Sequence, residues 1–492
     1  MAKICLVLTA DGVDENIALV EGYRDSIDMV ELRVDLLDPL ERAGAMDFPG
    51  RVRLPSICTI RRRSDGGKYE ESEDERIALF ESFSSAGFTY VDFELDFSAP
   101  GIVDRFVSRG ARVIRSLHDF AGVPQDLGGV VESLSAAPGD IPKLAVNPKS
   151  FAEAARFYSE IRKCKVDEII AIAMGSFGFF TRVFAEKLGS ILTFASPAGE
   201  SAAPGHVDPE TLESVYRFRS ISNSTRSLAV IGDPAMHSKS PHIHNPALSV
   251  RSIDSVYVPL HVDDPSSLFE YWDLLDLDGA SVTVPHKERI IACLDSVDGA
   301  VSEIGSCNTV VKREGRFEGT NTDAPGLVAA IRSLAPNLPN AAVIVGAGGT
   351  ARAAVYALQS IGAKVVIVNR TPGRARELAE RYRCLWAPMD ESSTSLIHDH
   401  SELIVQTTSA GMHPNEEIDP LEFYDFDGSE TVLDVIYAPP VTRFLNRAIG
   451  AGCRTTNGWQ MLLEQAYLQF ELFTGDSYPV DKVHIPDPGN DL

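Results

Sequence analysis

Lys287 and Asp323 are the first residues whose setting suits chemistry. Lys287 ends the stretch Gly279 to Lys287, GASVTVPHK, where a β-rich run is stopped by Pro285. Asp323 ends Gly319 to Asp323, GTNTD, a polar turn. Downstream, the run 341–345 enters Gly346-Ala-Gly348-Gly349-Thr350-Ala351, which fits G-x-G-x-x-A between a strand and an apolar helix over 351–361. A lysine, an aspartate and a dinucleotide cradle in that order suit carbonyl reduction with acid/base help. Taken singly, each has a plainer explanation: a surface lysine, a turn aspartate, a helix-packing glycine turn.

A second pair lies earlier. Lys143 stands inside an apolar run, Ile141-Pro-Lys-Leu-Ala-Val146. A lysine desolvated near cationic neighbours loses proton affinity, and the neutral amine attacks a ketone to give a Schiff base. The iminium then acidifies the adjacent carbon. His118 titrates near neutrality and suits the base that takes that proton. The plainer alternative makes Lys143 a snorkelling lysine and His118 a hydrogen-bonded core residue.

Both pairs need elements to hold them. Up to about residue 219, eight short β-branched runs (4–8, 29–34, 55–60, 90–94, 112–116, 141–146, 169–174 and 191–194) alternate with segments of helical spacing such as 74–83 and 151–157. Eight β/α repeats predict a closed parallel barrel, with an open doubly wound sheet as the alternative. In a barrel, function gathers at the C-terminal strand ends. There the chain places Glu31, Arg33, Arg61, Glu94, His118, Lys143 and, beyond the seventh strand, Arg182. Residues 214–226 are polar and serine-rich, and the boundary between the halves is read near 220–226, with a short linker.

The second half opens with a strand over 227–231 and a loop, His237-Ser238-Lys239-Ser240-Pro241, whose hydroxyls and charge suit an anionic ligand or a helix cap. His237, His242 and His244 lack a nearby acidic or cysteine ligand, so no metal is expected. The strand 364–368 ends in Asn369-Arg370-Thr371, with Arg374 close by. Arginine there suits a ribose 2′-phosphate, which favours NADP over NAD. The segment 407–412 ends a strand that could lie beside the nicotinamide. Tyr437 follows the strand-like 432–436. The helix starting near 457 puts Gly458, Met461 and Gln465 along one face.

Composition bounds the rest. A chain of 492 residues holds two or three domains. Net charge −25 argues against nucleic acid or an anionic membrane as partner. Seven scattered cysteines without a CxxC fit a reducing compartment, and no apolar run approaches a membrane span.

Family resemblance adds specific roles. Val30-Glu-Leu-Arg-Val-Asp35, Thr59-Ile-Arg61 with Gly66-Gly67, Ser116-Leu-His-Asp-Phe120, Ile141 to Pro148 and Ala202-Ala-Pro-Gly205 resemble type I 3-dehydroquinate dehydratase. The resemblance implies Lys143 as Schiff-base lysine and His118 as general base and acid. Glu31, Arg33, Arg61 and Arg182 would hold substrate, with Asp65 where the family often has a histidine-orienting glutamate. One departure falls in the lid: Ala202-Ala203-Pro204-Gly205-His206 replaces the usual Ser-Ala-Pro-Gly-Gln. From 226 to 475, His237 to Pro241, Val282 to Lys287, Asn308-Thr309, Asn321 to Asp323, the GAGGTA turn and NRT resemble shikimate dehydrogenase. That implies Lys287 and Asp323 as the catalytic pair, and Ser238, Ser240, Thr283, Asn308 and Gln465 as substrate contacts, with Tyr437 close by. Gly346, Gly348, Gly349, Thr350, Ala351, Asn369, Arg370, Thr371, Arg374 and Gly458 are expected around NADP.

The expected architecture is therefore α/β: a (β/α)8 barrel over 1–219, then a two-lobed unit. Its substrate-binding lobe is expected over 226–325, completed by helices at about 455–475, and its Rossmann NADP lobe over 326–454. The expected activity is dehydration of 3-dehydroquinate followed by NADPH-dependent reduction to shikimate. An NAD-preferring quinate/shikimate dehydrogenase, and a non-catalytic sensor on the same folds, are the alternatives. The expected location is bacterial cytoplasm, or plastid stroma after loss of a transit peptide.

Overall fold

In a computed structural model, residues 1–199, 205–334 and 337–486 are described. The contacts divide the chain into two compact units. One comprises Met1–Pro241 and Asp254–Leu277, the other His242–Ile253 and Asp278–Leu492. Each is taken by itself.

The first unit is built on eight parallel strands: β1 (Lys3–Leu8), β2 (Met29–Arg33), β3 (Ser56–Thr59), β4 (Tyr90–Glu94), β5 (Arg112–Asp119), β6 (Ile141–Val146), β7 (Ile170–Ala173) and β8 (Leu192–Ala195). Their order is β7-β6-β5-β4-β3-β2-β1-β8. A parallel bridge between Ile169 and Ser190, with Ile191 N donating to Ile169 O at 2.9 Å, brings β7 to the start of β8 and closes the ring. The closed barrel expected from eight repeats forms, not the open sheet. Its helices start where the sequence supplies caps. Ser72 and Glu75 form a reciprocal capping box for Glu73–Phe83, and Ser150 caps Phe151–Ile161.

The period of two along a strand explains how an apolar barrel comes to hold a polar site. Met29, Ile57, Tyr90, Ile114, Ile141 and Ile170 belong to one buried core cluster. Two residues further along the same strands stand Glu31, Thr59, Asp92, Ser116, Lys143 and Ile172. An apolar floor is thus followed by a layer of charged and hydroxyl groups. β5 runs three residues past its expected end, pairing His118 with Ala145 and Asp119 with Val146. His118 therefore stands on the strand itself.

This unit continues into β9 (Arg226–Gly232) and β10 (Ser255–His261), paired in parallel from Arg226↔Ser255 to Gly232↔His261. The division by contacts places β9 and β10, which follow the boundary read near 220–226, with the barrel. The physical reason is a set of ties to the barrel: Lys187 to Asp276 at 2.9 Å, and Arg217 Nη2 donating to Ser255 O at 2.9 Å.

In the second unit, β11 (Leu277–Val282), β12 (Ser296–Val297), β13 (Thr309–Arg313) and β14 (Arg316–Thr320) are followed by six strands. β13 runs antiparallel to both β11 and β14, and β12 is parallel to β14. The six are β15 (Ala341–Val345), β16 (Lys364–Asn369), β17 (Leu385–Pro388), β18 (Leu403–Gln406), β19 (Thr431–Asp434) and β20 (Arg454–Thr456). They are parallel in the order β17-β16-β15-β18-β19-β20. Numbered from β15, that is the 3-2-1-4-5-6 order of a dinucleotide fold, with its switch point between β15 and β18. Ala342 and Ile344 pack into one core cluster, Val343 and Val345 into another. Both faces of the sheet are therefore covered, which is why its strands read as unbroken apolar runs.

Candidate active sites

The C-terminal mouth of the barrel holds a cavity of about 190 Å³. Glu31, Arg33, Thr59, Arg61, Asp65, His118, Lys143, Arg182, Phe194 and His206 are among the residues that line it. Lys143 is only 4% exposed. Its Nζ donates to Asp92 Oδ2 at 2.8 Å and lies 3.5 Å from Glu31 Oε1, with the Phe194 ring beneath it at 4.5 Å. The groups touching Nζ are therefore carboxylates, not the cationic neighbours expected from sequence. The reason lies in the strands: Glu31 and Asp92 occupy the same inward layer as Lys143.

Asp92 is the centre of this network. It also accepts from Ser116 Oγ at 2.6 Å and pairs with Arg61 at 2.8 Å. Burial alone would raise its carboxyl, but Arg61 and Lys143, with His118 beyond them, hold it far below the usual carboxylate range. Arg61 in turn bonds Glu94 at 3.1 Å and Ser116 at 2.9 Å, so its guanidinium is committed to the wall of the cavity. Glu94 is bound from behind by Arg76 at 2.8 Å and does not line the cavity.

His118 is shifted in the sense a base requires. Burial first, then Arg61 and Lys143, hold its imidazole well below the ordinary 6.5, so it is neutral near pH 7. Its Nδ1 is buried with no hydrogen-bond partner among the described residues. Asp65 does not orient it as the family comparison suggested. The Asp65 Oδ2 accepts from Arg62 at 2.9 Å and from Ser64 at 2.8 Å, and among the described residues no hydrogen bond joins Asp65 to His118. Arg33 is held by Asp35 at 2.8 Å, and Arg182 donates to Phe194 O at 3.3 Å. The lid residues Ser201, Ala202, Ala203 and Pro204 lie outside the described residues. His206 lines the cavity and bonds Ser196 Oγ through Nδ1.

The second unit holds another lysine-centred cluster. Lys287, in the short helix His286–Arg289, donates to Asp323 Oδ2 at 2.6 Å. Asp323 opens the helix Asp323–Leu334. Its other oxygen accepts from Asn308 Nδ2 at 2.8 Å. Asn308 is fixed by Thr309 Oγ1 at 2.9 Å and Thr322 N at 2.8 Å, both donating to its Oδ1. Gln465 Oε1 lies 3.4 Å from Asn308 Nδ2, and Gln469 Nε2 donates to Asn308 O at 3.0 Å. Thr283 is the residue whose carbonyl accepts from His286 N at 2.9 Å at the start of the Lys287 helix. Tyr437 is half-buried against Trp459, ring centroids 6.0 Å apart. In the first unit, Ser238 Oγ donates to Ser240 Oγ at 3.1 Å.

Sequence reasoning missed Asp92, Thr59, Phe194 and Gln469. Asp92 had a signal, since it stands two residues before Glu94 on one strand. Gln469 had one too, one turn after Gln465.

Four family descriptions match in succession: type I 3-dehydroquinase over residues 4–223, shikimate dehydrogenase substrate binding domain over 230–310, shikimate/quinate 5-dehydrogenase over 330–415, and shikimate 5′-dehydrogenase C-terminal domain over 458–484. A chloroplastic bifunctional 3-dehydroquinate dehydratase/shikimate dehydrogenase of Arabidopsis thaliana is 34% identical, over 96% of this chain and 82% of its own length. The chain belongs to the bifunctional 3-dehydroquinate dehydratase/shikimate dehydrogenase family. A shikimate dehydrogenase (NADP(+)) of Carboxydothermus hydrogenoformans is 36% identical over 53% of this chain and 95% of its own. A shikimate dehydrogenase crystal structure in complex with NADP+ superposes with a TM-score of 0.50 at 28% identity, covering 53% of this chain and 94% of that one.

In this bifunctional dehydratase/dehydrogenase the turn after β15 fits a dinucleotide. Gly346 adopts φ +120, and a Cβ there would lie 2.5 Å from Thr407 Oγ1, so only glycine lets β15 and β18 close on each other. Gly348 leads into the helix Gly349–Ser360 with no side-chain cap, leaving backbone donors free for phosphate. Thr350 and Ala351 continue that first turn. Asn369 Nδ2 is turned onto Thr371 O at 2.9 Å. Arg370 and Arg374 are exposed, and neither has an ion-pair partner among the described residues, as a site for a 2′-phosphate requires. A Cβ on Gly458 would strike Val435 O at 2.0 Å, so the chain passes close to the β19 end there. Among the described residues no helix is long and apolar enough to cross a membrane, and no group of three or more His, Cys, Asp or Glu could hold a metal ion. His244 is a buried residue stacked on Phe470 at 6.3 Å.

Proposed function

We propose that the chain catalyses two consecutive reactions, dehydration of 3-dehydroquinate to 3-dehydroshikimate and reduction of that ketone to shikimate. The observation that carries this is that one chain holds Lys143 in a cavity with His118, and Lys287 bonded to Asp323.

In the barrel, Lys143 Nζ attacks the ketone carbon of 3-dehydroquinate and water leaves, giving an imine. His118, held neutral, relays a proton from the amine to the carbinolamine hydroxyl, which leaves as that water and returns the imidazole to its neutral form. Asp92 keeps Nζ aimed, and its low proton affinity means it orients without taking the proton. His118 then removes the C2 proton and returns it to the departing hydroxyl. Hydrolysis frees Lys143. Glu31, Arg33, Arg61 and Arg182 hold the substrate's hydroxyls and carboxylate. Arg61 also fixes Asp92, at 2.8 Å.

In the dehydrogenase, Ser238, Ser240, Thr283, Asn308, Tyr437 and Gln465 hold 3-dehydroshikimate, and Lys287 with Asp323 supplies the proton to its carbonyl oxygen. Asn308 holds the carboxylate so that the Lys287 donor is already placed when charge develops on that oxygen. Gly346, Gly348, Gly349, Thr350 and Ala351 would cradle the pyrophosphate, Asn369, Arg370, Thr371 and Arg374 would take the adenosine end, and Gly458 would border the cofactor. NADPH, when bound, supplies the hydride. The domains serving these roles are residues 1–219, 226–325 with 455–475, and 326–454. We place the enzyme in a reducing compartment, bacterial cytoplasm or plastid stroma, which the seven free cysteines support.

The test is to supply 3-dehydroquinate and NADPH together and follow shikimate, with borohydride trapping in parallel. Shikimate should accumulate with NADPH consumption, and the reduced adduct should map to Lys143. No shikimate, or an adduct on another lysine, overturns the proposal.

A further inference from the structure

β10 ends at His261, and every polar atom of that ring is engaged. Nε2 lies 2.7 Å from Asp233 Oδ1, and Nδ1 lies 2.6 Å from Ser176 Oγ. The ring stacks on Phe177, centroids 4.0 Å apart and planes at 14°. A carboxylate only accepts, so Nε2 carries a proton. In the neutral ring Nδ1 then accepts from the Ser176 hydroxyl.

The two ends of this bridge lead to different chemistry. Asp233 follows the last residue of β9 and opens the segment that carries Ser238 and Ser240. Ser176 and Phe177 belong to the first turn of the helix Gly175–Val183, which carries Arg182 into the barrel cavity. That helix start also packs on Gly205, whose Cβ, if present, would lie 2.7 Å from Gly175 O. β10 itself is clamped to the barrel at both ends. Ser255 O accepts from Arg217 at 2.9 Å, and Asp263 Oδ1 accepts from Phe151 N at 3.1 Å. His261 is therefore the anchored partner, and Asp233, whose side chain is 45% exposed, is the one it restrains.

We propose that His261 is a positioning residue through which the dehydratase barrel holds the Ser238/Ser240 segment in place for the dehydrogenase substrate. This rests on the assignment of Ser238 and Ser240 to that substrate. The segment leaves β9 at an exposed aspartate, and without the histidine it must be ordered when substrate binds. That cost enters KM rather than the hydride-transfer step.

The decisive variant lies in the barrel. In the intact chain, Ser176→Ala is expected to raise the KM for shikimate in NADP-saturated oxidation about fivefold, and His261→Ala about tenfold, sizes typical of the net worth of one intramolecular hydrogen bond. The kcat and the KM for NADP should stay within about twofold. His261→Gln keeps a donor toward Asp233 and should recover part of the loss. The double variant should be no worse than His261→Ala alone, because both remove one chain of contacts. Ser238→Ala tests the underlying assignment separately, by raising the same KM. If Ser238→Ala raises it while Ser176→Ala and His261→Ala leave it unchanged, the bridge has no such role. If Ser238→Ala has no effect, the assignment of the serines fails and the inference with it. Equal losses in kcat and in both KM values, with a lowered Tm, would mark His261 as a general stabiliser and overturn the proposal.

Discussion

The side-chain amide of Asn308 donates to Asp323 Oδ1 at 2.8 Å, leaving Oδ2 to accept from Lys287 at 2.6 Å. Each oxygen of the carboxylate is thus held by a different residue, and Lys287 is aimed by a group 15 residues from its own partner. Asn308→Ala should lower the kcat for shikimate oxidation about ten- to hundredfold, from roughly 1.5–3 kcal/mol of lost hydrogen bonding to a charged group. Dehydratase turnover on the same preparation serves as the folding control. A kcat within a factor of two of the parent would show that Asp323 does not depend on this amide.

Asp92 makes the corresponding prediction for the barrel. Asp92→Asn strips the carboxylate, itself fully buried, from both Lys143 and Arg61. Removing one partner from a buried pair costs about 3–5 kcal/mol, so a clear fall in Tm is expected. Dehydratase kcat should fall about a hundredfold, since a misaimed amine forms the imine slowly. Borohydride trapping with 3-dehydroquinate, timed in seconds, reads imine formation directly. Trapping as fast as in the parent would remove Asp92 from the mechanism.

His118 sets a pH prediction whose sign is definite. Its folded value is depressed, by burial and then by Arg61 and Lys143. The imidazole is therefore still neutral at pH 6.5, where a free histidine is half protonated. The acid limb of dehydratase kcat/KM should lie clearly below pH 6.5. The same depression means that below 6.5 the unfolded chain takes up a proton that the native site refuses, so stability falls as pH drops through that window. A limb at or above 6.5 would point to a different base.

Arg370 and Arg374 carry the nucleotide prediction. Both are exposed, and neither is tied into an ion pair among the described residues. Arg370→Ala should raise the KM for NADP about ten- to hundredfold, through loss of a charge-assisted contact to the 2′-phosphate, with the KM for NAD nearly unchanged. The Arg370→Ala/Arg374→Ala pair should narrow the preference further. Equal rises for both nucleotides would place these arginines outside the 2′-phosphate site.

Local pattern was enough for much of this. Eight short β-branched runs announced the barrel strands, and the two-residue period of a strand places Lys143 two residues beyond Ile141, one layer above the apolar floor. The G-x-G-x-x-A turn announced the dinucleotide fold because the turn itself needs the φ of +120 that Gly346 adopts, a local property of the backbone. Arg370 was legible for the same reason, since it ends the next strand.

What touches what across the chain was not legible. Sequence suggested cations around Lys143, and the barrel supplied Asp92, 51 residues away, and Glu31, 112 away. Asp65 looked placed to orient His118 and is bound to Arg62 instead. Asn308 meets Gln465 across 157 residues, and Ser176 meets His261 across 85. A residue's type and its face are local properties, set by the backbone period of the element that carries it. Its partner depends on strand order, register and the closure of the ring. Those are decided by the burial of whole sheets and helices, a long-range balance that leaves no mark on the few residues nearby.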